Sequence, residues 1–328
     1  MNFEARMLPF QSISFSAVLP GKRILILGAV HGNELAGMHG IRRVVAEIES
    51  GMLEIARGTI TFVPITNPMA YALNRRVGDR NLNRNLAPTN RPTEFEDYIA
   101  NWLCPLMAKH EVLLDLHSFQ AQGQAFVMVG PSNNSDALEP TIHGDTERDW
   151  ALRLSVNRAV DGWLSTYAVG VEARRARAEK QHPVTGKRHD LDAQYGVGTT
   201  EYMRTTGGIA LTLECGQHDD PHGREVAYRA IRSTLAYYGL TSDAMPPLAV
   251  AAEGLHIAQV IDKFDGADTF SRAWQSFDPL KAGDVIGTRA SGEILTAPKD
   301  GRILFPNALA EANHEWFYLT EVTTRFST

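Results

Sequence analysis

Cysteine is scarce in this sequence: Cys104 and Cys215 stand far apart and form no CxxC pair. Two thiols cannot build a disulfide framework, so a small stapled scaffold is excluded and a reducing, cytoplasmic setting is expected. Long hydrophobic runs are also missing. No stretch approaches the roughly 18 apolar residues of a membrane-spanning helix. The first residues, with Glu4 and Arg6, lack a basic segment followed by an apolar one. Neither a membrane nor a leader segment is expected. Positive charge is not in surplus: 32 Lys and Arg against 38 Asp and Glu give a net charge of −6, with no general drive toward nucleic acid.

What remains is ordinary globular material. With 44% hydrophobic and 21% charged residues over 328 positions, disorder is excluded and one large or two smaller domains are expected. Four apolar runs read as buried strands: residues 24–30 (ILILGAV), 59–65 (TITFVPI), 112–116 (VLLDL) and 209–213 (IALTL). Residues 125–129 are a fifth candidate. Between them, residues 34–49, 93–109, 145–167 and 221–238 carry helical spacing, and Thr93 with Glu96 reads as a capping box.

Strands alternating with helices predict an α/β fold: a mixed, largely parallel central sheet with helices on both faces. Composition changes at residues 241–247, where Met245-Pro246-Pro247 reads as a linker. Turn signals such as Ser291-Gly292 follow. The chain is therefore divided into a catalytic domain, 1–244, and a small all-β domain, 245–328. The second domain is expected either to shape an entrance or to make a homodimer contact.

Each of the four apolar runs ends in a polar cluster, and α/β sheets bind ligands outside the carboxyl ends of their strands. His31-Gly32-Asn33-Glu34 follows the first run. If a helix begins there, His31 and Glu34 share a face, and His117, at the end of another run, can supply a third ligand. His, Glu and His form a catalytic zinc set that leaves a fourth position open. Glu214 ends the run at 209–213, where a carboxylate is costly unless paired, metal-bound or catalytic. Residues 67–86 are rich in Asn and carry Arg75, Arg76, Arg80 and Arg84, cations suited to an anionic substrate or a developing oxyanion. A second basic stretch, with Arg174, Arg175, Arg177, Lys180, Lys187 and Arg188, reads as a loop, either a lid over an acidic substrate or a solvated segment. Nine of the eleven histidines are left as ordinary. The glycines of residues 28–32 fit neither phosphate-loop pattern.

The segments Gly28-Ala29-Val30-His31-Gly32-Asn33-Glu34, Asn67-Pro68, Asn81-Leu82-Asn83-Arg84, Asp115-Leu116-His117-Ser118 and Leu213-Glu214 together resemble the aspartoacylase/succinylglutamate desuccinylase family. The resemblance implies a zinc-carboxypeptidase-like fold and one zinc ion held by His31, Glu34 and His117. It implies Glu214 as general base and Arg76 polarising the scissile carbonyl. Asn83 and Arg84 would hold a substrate carboxylate, and Arg204 a second one. The activity implied is hydrolysis of the amide bond of a small N-acyl amino acid. The rivals are a metallocarboxypeptidase or peptidoglycan-peptide amidase with the same metal site, and a non-catalytic binding protein on the same fold. One departure stands out. The family's Asp-Leu-Asn-Arg is here Asn81-Leu82-Asn83-Arg84, and the lost charge is expected to bear on substrate choice more than on metal binding. The family's C-terminal tyrosine has no motif here, and Tyr318 is the candidate for it.

Overall fold

Alternate residues of the first buried run face opposite ways: Ile24 and Ile26 join one apolar cluster, Leu25 and Leu27 another. A strand buried on both faces needs helices on both sides, and the architecture follows from that. The structure, a computed structural model, describes residues 9–180, 192–249 and 253–327. Its strands are β1 (Ile13–Ser16), β2 (Arg23–Leu27), β3 (Thr59–Val63), β4 (Val112–Phe119), β5 (Phe126–Val129), β6 (Arg158–Asp161), β7 (Ile209–Gln217), β8 (Glu253–Asp262), β9 (Thr269–Phe270), β10 (Pro279–Leu280), β11 (Val285–Thr288), β12 (Ile294–Thr296), β13 (Gly301–Leu304) and β14 (Glu315–Val322). The helices are α1 (Ala36–Glu49), α2 (Pro68–Ala72), α3 (Phe95–Met107), α4 (Gly144–Ala151), α5 (Trp163–Lys180), α6 (Thr199–Thr205) and α7 (Gly223–Tyr237).

Among the described residues, eleven strands form one mixed sheet in the order β1-β3-β2-β4-β7-β5-β6-β8-β14-β13-β10. The four runs singled out in the sequence are its parallel centre, β3-β2-β4-β7. Residues of α1, α4 and α7 cover one face, and those of α3 with Met203 of α6 the other. The expected α/β class therefore holds, and beyond Glu253 the chain is all β. The C-terminal strands extend the main sheet, because β8 pairs in parallel with β6. A small sheet, β12-β11-β9, stands apart. No helix among the described residues is long and apolar enough to cross a membrane.

Several expected elements differ. Residues 145–167 hold two helices with β6 between them, since the four-residue strand Arg-Ala-Val-Asp is too short to break a helical pattern visibly. The stretch read as a basic loop continues α5 to Lys180, and Arg174 is buried against Asp262 (2.6 Å) and Glu315 (3.0 Å). Arg177 pairs with Asp262 as well, and Arg175 with Glu172. Arg174 and Arg177 pin the helix to the C-terminal strands, so these two do not form a lid. Lys187 and Arg188 lie outside the described residues. At the start of α3, Glu94 and Asp97 make the capping box, not Thr93 and Glu96.

Candidate active site at the carboxyl ends of the parallel strands

The chain leaves β2 through a strained bend: Ala29 takes a φ of 45°, a left-handed conformation costly for a residue with a Cβ. The bend is tied to the exit of β3. Thr66 N donates to Gly28 O and Asn67 N to Ala29 O, both at 3.0 Å. His31 and Glu34 follow in a turn ahead of α1, not on its first turn as expected, with Glu34 N donating to His31 O. Gly32 is demanded by packing, because a Cβ there would lie 2.0 Å from the Ala70 carbonyl carbon.

Three buried side chains converge at this point. His31 Nδ1 lies 2.9 Å from Glu34 Oε1, and His117 Nδ1 lies 2.9 Å from Glu34 Oε2. The outer nitrogens are backed: His117 Nε2 by Asp115 Oδ2 (2.8 Å), His31 Nε2 by Asn81 Oδ1 (2.9 Å). Asp115 and His117 are two apart on β4 and so share a face. Thr199 Oγ1 donates to the same Asp115 oxygen. Asn81, the departure from the family's Asp-Leu-Asn-Arg, thus stands behind a histidine of this group. Among the described residues, His31, Glu34 and His117 form the group able to hold a metal ion, one ligand atom from each lying within 4.8 Å of the others.

Charge in the group follows from burial and neighbours. Burial and Arg76 lower His31 to about 4. Burial opposes ionisation of Glu34, but His31 and Arg76 outweigh it and hold the carboxyl well below its usual range. Burial lowers His117, yet Asp115 and Glu34 hold it well above 6.5. Glu214 sits opposite His117 in the β4–β7 register, and its Oε2 is buried with no partner. Burial pushes it up to about 8.

The Asn/Arg loop is held by Glu96, a fully buried carboxylate. It accepts from Asn67 Nδ2 (2.8 Å) and from the backbone N–H groups of Gly78, Asp79 and Arg80. So fixed, the loop brings Arg76, Asn83 and Arg84 to the pocket wall. Arg76 Nη1 reaches Glu34 Oε1 at 2.5 Å, with half of its side chain exposed. Arg84 lies over the Trp163 ring, 4.7 Å from its centroid, and donates to Asn83 O. Asn83 Oδ1 accepts from Thr199 N, leaving its amide nitrogen as the free end.

His31, His117, Arg76, Asn83, Arg84 and Trp163 line one cavity of about 1030 Å³ with Glu214 and Arg204. Arg204 is buried, and its donors are taken by Glu147 (2.9 Å), Glu139 (2.7 Å) and Ala210 O (2.7 Å). A substrate carboxylate would have to displace a glutamate to reach it. Tyr318 lines the cavity, its ring 5.6 Å from that of Trp163. Two histidines taken as ordinary are here as well: His218, hydrogen-bonded to Ser118 Oγ, and His256, against Asp161.

A mixed α/β sheet carrying a buried His–Glu–His group and an unpartnered glutamate at its carboxyl edge defines a class of fold with a candidate hydrolytic metal site. Residues 20–138 match the family described as the succinylglutamate desuccinylase/aspartoacylase catalytic domain, so the chain is similar to hydrolases of that type, as its motifs imply. The matched segment contains the His–Glu–His group, Arg76, Asn83 and Arg84, and stops short of Arg204 and Glu214. No curated protein gives a significant sequence match. Solved structures share the fold. A succinylglutamate desuccinylase from Silicibacter sp. is 15% identical, over 96% of this chain and 89% of its own, with a TM-score of 0.69. A succinylglutamate desuccinylase/aspartoacylase from Rhodobacter sphaeroides is 16% identical over 96% and 89%, with a TM-score of 0.70. The product-bound ectoine utilization protein of Ruegeria pomeroyi is 15% identical over 94% and 88%, with a TM-score of 0.68.

Proposed function

We propose that the protein is a zinc-dependent hydrolase that cleaves the amide bond of an N-acyl amino acid. The observation that carries this reading is the convergence of His31, Glu34 and His117 across the register from Glu214. The donor set fits a divalent ion. His31 Nδ1 is buried and lacks a hydrogen-bond partner although a carboxylate oxygen lies 2.9 Å away, an arrangement that a shared cation satisfies. Zinc held there supplies Lewis-acid activation of water and of the scissile carbonyl.

The chain's own residues do the rest. Glu214, across the strand register from His117, accepts the proton of the attacking water and returns it to the leaving amine. Arg76 donates to the carbonyl oxygen as negative charge develops. Arg84, stacked on Trp163, and the Asn83 amide hold the substrate carboxylate and so orient the amide bond. Arg204 enters only as the anchor of Glu139 and Glu147 in the pocket wall. The cavity, about 1030 Å³, is roomy for a small acyl amino acid. That volume favours a second reading, a metallocarboxypeptidase or peptidoglycan-peptide amidase acting through the same residues on longer substrates.

The test is a hydrolysis screen of N-acetyl, N-succinyl and N-formyl amino acids and short peptides, with and without zinc, on wild type and Glu214→Gln. The variant is expected to keep its zinc and lose about 10²–10⁴-fold in turnover. Near-wild-type turnover sinks the assignment of Glu214, and a preference for peptides selects the second reading.

A further inference from the structure

The two histidines of the group are backed unequally. Behind His117 Nε2 stands the buried carboxylate of Asp115; behind His31 Nε2 stands the neutral amide oxygen of Asn81. The orientation of that amide is fixed by a second donor, because Asn83 N–H also reaches Asn81 Oδ1 at 2.9 Å. Only the oxygen can accept both. His31 therefore carries its proton on Nε2 and leaves Nδ1 bare toward Glu34.

A hydrogen bond to a carboxylate is stronger than one to a neutral amide, and it makes the imidazole a better donor to a cation. We propose that Asn81 is a positioning residue that sets metal affinity. It orients His31 but leaves it the weaker arm, and it keeps the site one unit more positive than a carboxylate at position 81 would. This rests on the metal reading above. Position 81 is half-buried, and both donors that Oδ1 accepts would serve a carboxylate equally well, so Asn81→Asp can be made without strain.

The experiment is zinc affinity by competition against a chromophoric chelator for wild type, Asn81→Asp and Asn81→Ala, with thermal unfolding of the metal-free proteins alongside. Asn81→Asp is expected to bind zinc about tenfold more tightly at unchanged metal-free stability, and Asn81→Ala to bind it about 10–100-fold more weakly. An Asn81→Asp protein that binds zinc no more tightly than wild type overturns the proposal while the metal site stands. A wild type that takes up no zinc overturns the functional reading, and this proposal with it.

Discussion

One carboxylate organises the loop that carries Arg76 and Arg84 to the pocket wall. Glu96 is fully buried and accepts from three backbone N–H groups and the Asn67 amide. Removing it leaves those donors unmet in the interior, which costs on the order of 3 kcal/mol. Glu96→Ala is therefore expected to lower stability by about that amount in urea unfolding and to weaken substrate capture through Arg76 and Arg84. Unchanged stability and KM would refute the anchoring role. Legibility at this scale follows a simple division. His31, Glu34, His117 and Glu214 could be read because each ends or follows a buried run, so the strand pattern alone puts them at one edge. Glu96 was legible only as an apparent helix cap, because its true partners lie 16 to 29 residues earlier. Asp115 had a readable cue, the alternate position before His117 on a strand. Asn81 had none.

Helices α1 and α7 pack closely on one face of the sheet, and the contact depends on a missing side chain. A Cβ on Gly40 would sit 2.7 Å from the Cβ of Ala227. Gly40→Val must push the two helices apart, with an expected loss of about 1–3 kcal/mol. A urea midpoint equal to wild type would show that the helices can slide without cost. The elements that sequence patterns reveal are those with a long repeating face, such as α1, and the runs buried on both faces. Strand β6 escaped notice because four residues give no period, and α5 because its charged residues look solvated until Asp262 and Glu315 arrive from distant strands.

At the scale of the whole molecule, the net charge of −6 says little about the cavity, where charge is locally organised. Around Arg204 stand Glu139, Glu147 and Glu201. Burial raises Glu139 from 4.5 to about 7; Arg204 opposes the rise, and Glu201 and Glu147 add to it. The folded protein thus binds this proton more tightly than the unfolded chain does. Its contribution to stability is full below pH 4.5 and is lost as pH rises through about 7. Glu139→Gln is expected to flatten the decline in unfolding free energy between pH 5 and pH 8, measured in urea. An identical pH slope in the two proteins would contradict this.

The pairing of β8 with β6 carries a consequence for how such a protein can change. Phe305, Glu315, Tyr318 and Arg325, all from the C-terminal strands or just beyond them, line the same cavity as His31 and His117. The His31, Glu34 and His117 group and this wall are thus encoded in stretches of chain nearly two hundred residues or more apart. Variation in the tail can retune which molecule fits while leaving His31, Glu34 and His117 untouched, and directed evolution toward a new substrate would begin with those four positions.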